Sequence, residues 1–273
     1  MNIRASALSS TGRRSNNEDA CIVDDQLGLY AVADGMGGYD GGEVASGLAL
    51  EEVRQFLRAM RDNPEQTWPF AGLASELTPS MFVTESESGH TVSAVVGEPT
   101  IASDETLVDQ AVRVAHRSVI EARTPATPRM GTTIVLLLRS EAGTLTLAHV
   151  GDSRAYRLRD GQLEALTRDH SMVEELRAMG AIGPQETPDN LRNYLTRALG
   201  VDGWKHATVT SVEPRPNDRY LLCSDGLSGV LEDVVIGKHL GAPTLEAAAA
   251  ALVKAAYDEG STDNITVVVV AVE

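Results

Sequence analysis

Four aspartates share one setting, a break next to an apolar run. Asp34 follows Tyr30-Ala31-Val32-Ala33, Asp152 follows Leu147-Ala148-His149-Val150-Gly151, and Asp225 follows Tyr220-Leu221-Leu222-Cys223-Ser224. Asp263 comes just before Asn264-Ile265-Thr266 and a run of valines. A carboxylate at the end of a buried strand is costly unless it is paired or binds a metal. With Glu18 and Asp19 in a polar loop beside another strand, the set favours convergence on hard cations. Oxygen donors without an obvious histidine set suit Mg²⁺ or Mn²⁺ better than zinc. Gly35 has no side chain, so its carbonyl can approach the same ion as Asp34. The alternative at Asp34 is a plain turn with a solvated aspartate, because Asp-Gly is a common turn dipeptide.

The whole-chain charge agrees with such chemistry. The 273 residues carry a formal net charge of −16. Nucleic acid and anionic membrane surfaces are poor partners for such a chain, since phosphate binding by side chains needs a surplus of Lys and Arg. If the protein handles phosphate, bound divalent cations must do the attracting. The longest apolar run, residues 267–272, is far short of the roughly 20 residues that span a bilayer. The first residues show no signal-peptide pattern, so the expectation is a cytoplasmic protein. Cys21 and Cys223 have no metal-type spacing and read as buried free thiols.

To bring these carboxylates together, the chain must deliver several strands to one place. Residues 1–8, 20–24 and 27–33 are strand-like, the last two joined at Asp24-Asp25-Gln26. Ala45, Leu48, Ala49, Val53, Phe56, Leu57 and Met60 fall at helical spacing. Leu107, Ala111, Val114, Ala115 and Val119 do the same after a Ser103-Asp104-Glu105 cap. Between these two helices, residues 62–103 are acidic and proline-containing, and read as an insert or loop with residues 92–96 as its one apolar run. Strands then follow at 132–139, 144–150, 155–159 and 162–166, joined by short turns, which implies an antiparallel sheet. A short helix at 170–179, strands at 207–212 and 219–223, an alanine-rich helix at 243–257 and a last strand at 265–272 complete the reading.

The motifs Arg14-x-x-Asn17-Glu18-Asp19, Asp34-Gly35-Met36-Gly37-Gly38, Met130-Gly131-Thr132-Thr133, His149-Val150-Gly151-Asp152-Ser153-Arg154, Leu166-Thr167-Arg168-Asp169-His170, Leu195-Thr196-Arg197-Ala198-Leu199-Gly200, Cys223-Ser224-Asp225-Gly226-Leu227 and Thr262-Asp263-Asn264-Ile265-Thr266 occur in that order. Each is weak alone. Together they resemble the type 2C, or PPM, family of metal-dependent Ser/Thr protein phosphatases in its bacterial form, over essentially the whole chain except residues 62–103. The resemblance implies an α+β fold: one catalytic domain over residues 1–273, a four-layer α-β-β-α sandwich of two antiparallel sheets, with a flap at about 171–193. It implies hydrolysis of phosphoserine and phosphothreonine in proteins, opposing Ser/Thr kinases, by a water shared between two Mn²⁺ or Mg²⁺ ions. It also implies roles. Asp34 bridges the two ions, with the Gly35 carbonyl on one of them and Asp225 and Asp263 on the other. Asp19 acts through water and Glu18 in an outer shell. Asp152, with Asp225, forms a third metal site, and Arg14 grips the phosphoryl group. The expected partners are phosphorylated proteins and a Ser/Thr kinase, the expected state a monomer.

Two departures bear on the site. Many eukaryotic members have a histidine, proposed as general acid, where this chain has Met36, and many have a second aspartate where it has Gly229. His149 and His170 read as satisfied core histidines. Two other functions are weighed against the general phosphatase. One is a regulatory phosphatase dedicated to a single signalling partner, against which the Arg14-to-Asp19 motif argues. The other is an inactive binding module, against which the full set of principal ligands argues.

Overall fold

The computed structural model describes residues 2–37, 41–62, 103–183, 186–188, 191, 194–203 and 206–273. Gly38, the interior of the acidic insert with its 92–96 run, and parts of the 171–193 span lie outside the described residues.

Eleven strands and six helices are described. One sheet contains β1 (Ile3–Ser10), β11 (Ile265–Val272), β10 (Arg219–Cys223), β7 (Arg154–Arg159) and β8 (Gln162–Ala165), in that spatial order. The other contains β2 (Asp19–Asp24), β3 (Leu29–Met36), β5 (Ile134–Arg139), β6 (Leu145–Val150) and β9 (Thr208–Val212), with the two-residue β4 (Gly131–Thr132) paired to the end of β3. Every pairing is antiparallel.

The layers follow from strand alternation. On β3, Tyr30 and Val32 point between the sheets, where they meet Val135, Leu137, Tyr220, Leu222, Val268 and Val270. Ala31 and Ala33 point the other way, onto α1 (Gly41–Asp62) and α2 (Asp104–Glu121). On the far side, Leu221, Cys223, Val267 and Val269 face α4 (Asp225–Ser228), α5 (Asp233–Leu240) and α6 (Leu245–Glu259). This is the expected α-β-β-α sandwich. The helices start where local chemistry directs. Ser103 caps α2 by accepting from the Thr106 N–H, and Thr244 caps α6 by accepting from that of Ala247. Gly260 closes α6 in a left-handed conformation.

Two expectations about the aspartates need correction. Asp34 does not end its strand: β3 continues through Gly35 and Met36, which pair with Thr132 and Gly131. Gly35 permits this because a β-carbon there would strike the carbonyls of Gly42 and Glu18. The chain turns only at Gly37, at φ 133°. Asp225 does not sit in a bare turn either; it is the first residue of α4. The helix α5 was not expected. Cys21 and Cys223 are both free, but only Cys223 is buried; Cys21 is half-buried.

Candidate metal centre

The strand ends gather at one end of the sandwich. In the β2–β3 register, Asp19 lies directly opposite Asp34. Opposed residues of antiparallel strands project to the same face, here the inter-sheet face of Val32 and Cys21. Two like charges in that position repel. The other sheet arrives at the same place: the Ser224 hydroxyl, just after β10, donates to Asp19 Oδ2 at 2.8 Å and accepts from the Thr266 N–H at 3.0 Å.

Electrostatics show the other carboxylates converging. The Asp34 carboxyl is held well above its usual range, first by burial and then by the charges of Asp19, Asp225 and Asp152. It is also within hydrogen-bonding reach of Asp225. Burial pushes Asp19 up to about 7, with Asp225 and Asp263 adding to the effect. Asp152 is likewise raised to about 7 by burial, Asp225 and Asp169. Asp225 is raised by burial and Asp263. Five of the expected ligands, Asp19, Asp34, Asp152, Asp225 and Asp263, therefore form one electrostatic cluster.

The cluster fits divalent cations. Asp19 Oδ1 and Asp225 Oδ1 are buried oxygens without a hydrogen-bond partner. Orphaned acceptors among like charges are what a hard cation satisfies. Among the described residues, no three Asp, Glu, His or Cys side chains enclose a single point.

The remaining expected residues lie at the rim. Arg14 is exposed; its Nε donates to the Thr262 carbonyl at 3.0 Å and its Nη2 to Asp263 Oδ2 at 2.7 Å. One edge of its fork is thus committed to the protein. The Glu18 carboxylate accepts from Asn16 at 3.1 Å and packs beside Gly42, while its carbonyl accepts from the Gly35 N–H and the Ser46 hydroxyl. The 171–193 span contributes Ser171, Val173, Glu174, Arg177 and Thr187 to a cleft of about 420 Å³ whose other wall includes Asp152, Asp225 and Asp263. Within it, Ser171 caps α3 (Met172–Ala178).

Neither histidine faces the carboxylates as a free acid. His149 Nε2 meets the Arg168 carbonyl at 2.9 Å. His170 is bonded to Gly151 and to Thr208, and the two rings stack. Burial lowers the pKa of both, His170 to about 3.

Several site residues were not anticipated. The buried Asn264 accepts from the Glu18 N–H and donates to the carbonyls of Thr11 and Asn16, stitching the Arg14–Asp19 loop to β11. Thr133 Oγ1 accepts from the Asp34 N–H at 3.0 Å and meets Ser153 Oγ at 2.6 Å. Arg154 makes a two-pronged pair with Asp169, at 2.8 and 2.7 Å. Asn264, Ser224 and Ser153 each adjoin an expected aspartate, and that adjacency was the available signal.

Comparison with known proteins gives a consistent answer. The family described as protein phosphatase 2C matches residues 9–259. The serine/threonine protein phosphatase PstP of Mycobacterium tuberculosis is 36% identical over 98% of this chain. The chain spans only 44% of that relative's length. The serine/threonine phosphatase stp of Listeria monocytogenes is 30% identical, with 94% of this chain and 90% of the relative covered. Among solved structures, M. tuberculosis PstP superposes with a TM-score of 0.76 at 34% identity, covering 99% of both chains. The PstP catalytic domain in complex with two manganese ions gives 0.74 at 32%, covering 98% of this chain and 97% of the other.

Proposed function

The chain belongs to the protein phosphatase 2C family, and from that premise we propose that it hydrolyses phosphoserine and phosphothreonine in proteins. It uses two Mn²⁺ or Mg²⁺ ions and opposes Ser/Thr kinases. The observation that carries this reading is the cluster of five aspartates with two orphaned buried oxygens. Residues 1–273 act as one phosphatase domain, a monomer in the cytoplasm. No described helix is long and apolar enough to cross a membrane, and the net charge of −16 argues against nucleic acid as a partner.

In this reading Asp34, the Gly35 carbonyl, Asp225 and Asp263 would hold the two ions. Asp19 acts through water and Glu18 in the outer shell, while Asp152 and Asp225 serve a third, weaker position. When bound, such ions supply Lewis acidity, acidifying water and offsetting phosphate charge. The protein's own groups do the rest. Ser224 orients Asp19 by its hydroxyl, and Thr133 fixes the backbone of Asp34. Arg14 binds the phosphoryl oxygens by the edge of its fork that Thr262 and Asp263 leave free, and offsets charge as it develops there.

The test is phosphate release from p-nitrophenyl phosphate and from a phosphopeptide, with and without Mn²⁺. The wild type is expected to be Mn²⁺-dependent and Asp34→Ala to be inactive. Equal rates for the two proteins would refute the proposal.

A further inference from the structure

We propose that His170 is a positioning residue for the acidic cluster: it clamps the turn that carries Asp152 and, through Gly151 and Thr133, bears on Asp34. The inference rests on the phosphatase reading, in which both aspartates face the ions.

His170 holds both backbone polar groups of a single glycine. Its Nδ1 accepts from the Gly151 N–H at 3.2 Å, and its own N–H donates to the Gly151 carbonyl at 2.9 Å. Gly151 immediately precedes Asp152 and adopts φ 105°, a conformation that favours glycine. A β-carbon there would lie 2.6 Å from Thr133 Cγ2, so the turn is pressed against Thr133. Thr133 in turn accepts from the Asp34 N–H. A contiguous path of contacts thus runs from His170 through Gly151 and Thr133 to the backbone of Asp34, and branches at Gly151 to Asp152.

The ring is fixed from its other sides as well. Because Nδ1 accepts, Nε2 carries the proton and donates to Thr208 Oγ1 at 2.9 Å. The ring stacks on His149 with centroids 4.5 Å apart and planes 13° apart. The next residue back, Asp169, is locked to Arg154. His170 also accepts the Thr196 N–H at its carbonyl. His170 does not line the cleft formed by Asp152, Asp225 and Asp263, so its action is on the placement of others.

The two ring nitrogens can be separated by substitution. His170→Asn keeps an acceptor near the Nδ1 position and loses the reach to Thr208. His170→Gln keeps a polar group near Nε2 and loses the acceptor for Gly151. The readouts are Mn²⁺ binding to the metal-free protein by calorimetry and hydrogen exchange at the Gly151 amide. The Gln variant is expected to bind Mn²⁺ about tenfold more weakly, the usual scale for a group that orients a metal ligand, and to exchange the Gly151 amide faster. The Asn variant is expected to restore both. Equal behaviour of the two variants overturns the inference, because filling space or general stability does not distinguish them in this sense. If neither variant folds, ring ¹⁵N shifts of the wild type decide: the Nε2-protonated tautomer supports the inference and the Nδ1-protonated one overturns it. Wild-type protein that binds no Mn²⁺ would overturn the phosphatase reading and this inference with it. Mn²⁺ binding with indistinguishable variants overturns this inference alone.

Discussion

Asp34 and Asp19 occupy opposed positions on neighbouring strands, and without a cation the arrangement costs stability. Asp34 is raised by burial and by three surrounding carboxylates, so replacing a carboxyl that is costly to keep there, ionised or protonated, relieves the metal-free protein. Asp34→Asn is therefore expected to raise the melting midpoint in chelator by about 2–4 °C, the shift that about 1 kcal/mol produces in a domain of this size. The same change should abolish Mn²⁺-dependent phosphate release. A lowered midpoint in chelator would contradict the repulsion argument. Arg154 offers the opposite case. Its fork meets both oxygens of Asp169, and its Nη1 approaches the Tyr156 hydroxyl at 3.3 Å. Lysine keeps the charge but cannot make the paired bonds. Arg154→Lys should lower unfolding stability by about 1–3 kcal/mol, measured in urea.

At the scale of the elements, the Arg14–Asp19 loop and the start of β11 behave as one piece because Asn264 joins them. Its replacement by alanine removes three hydrogen bonds at a residue that is 4% exposed. Asn264→Ala should cost about 2–4 kcal/mol and weaken Mn²⁺ binding, read by urea unfolding and calorimetry. Asn264 also shows what could be read in advance. The apolar runs of β3, β5, β6, β10 and β11 and the helical spacing of α1, α2 and α6 were legible, because burial imposes a period on the sequence. The aspartates were legible because each breaks such a run. The role of Asn264 was not, since its partners Thr11, Asn16 and Glu18 lie some 250 positions away in the chain and adjacency says nothing of distance in space. The continuation of β3 past Asp34 was hidden because Asp-Gly usually marks a turn, whereas here a tight approach between Gly35 and Gly42 requires the glycine. The helix α5 was hidden by its own residues: Val234, Val235 and Ile236 are β-branched, and Val234 is 81% exposed, so neither propensity nor pattern announces a helix.

For the molecule as a whole, two sets of groups pull the pH dependence of stability in opposite directions. Asp19 and Asp152, raised from 3.8 to about 7, keep protons when folded that the unfolded chain releases. Without metal, their contribution to stability falls as pH rises from about 4 to about 7. His116 and His170, lowered from 6.5 to about 4 and about 3, stay neutral when folded. Their contribution is complete above 6.5 and is lost as pH falls toward 3 to 4. Saturating Mn²⁺ removes the carboxylate effect and leaves the histidine one. The gap between melting midpoints with and without Mn²⁺ should therefore widen as pH rises from about 5 to about 7, with protons released on binding across that range. A gap independent of pH would show that the carboxylates are already ionised. The facing aspartates at the rim of β2 and β3 carry a further consequence, for the protein's lifetime in a cell. In the phosphatase reading, a copy without manganese is expected to open more readily, and quality-control proteases act on what opens. Scarcity of the ion would then thin the population of the protein as well as idle it.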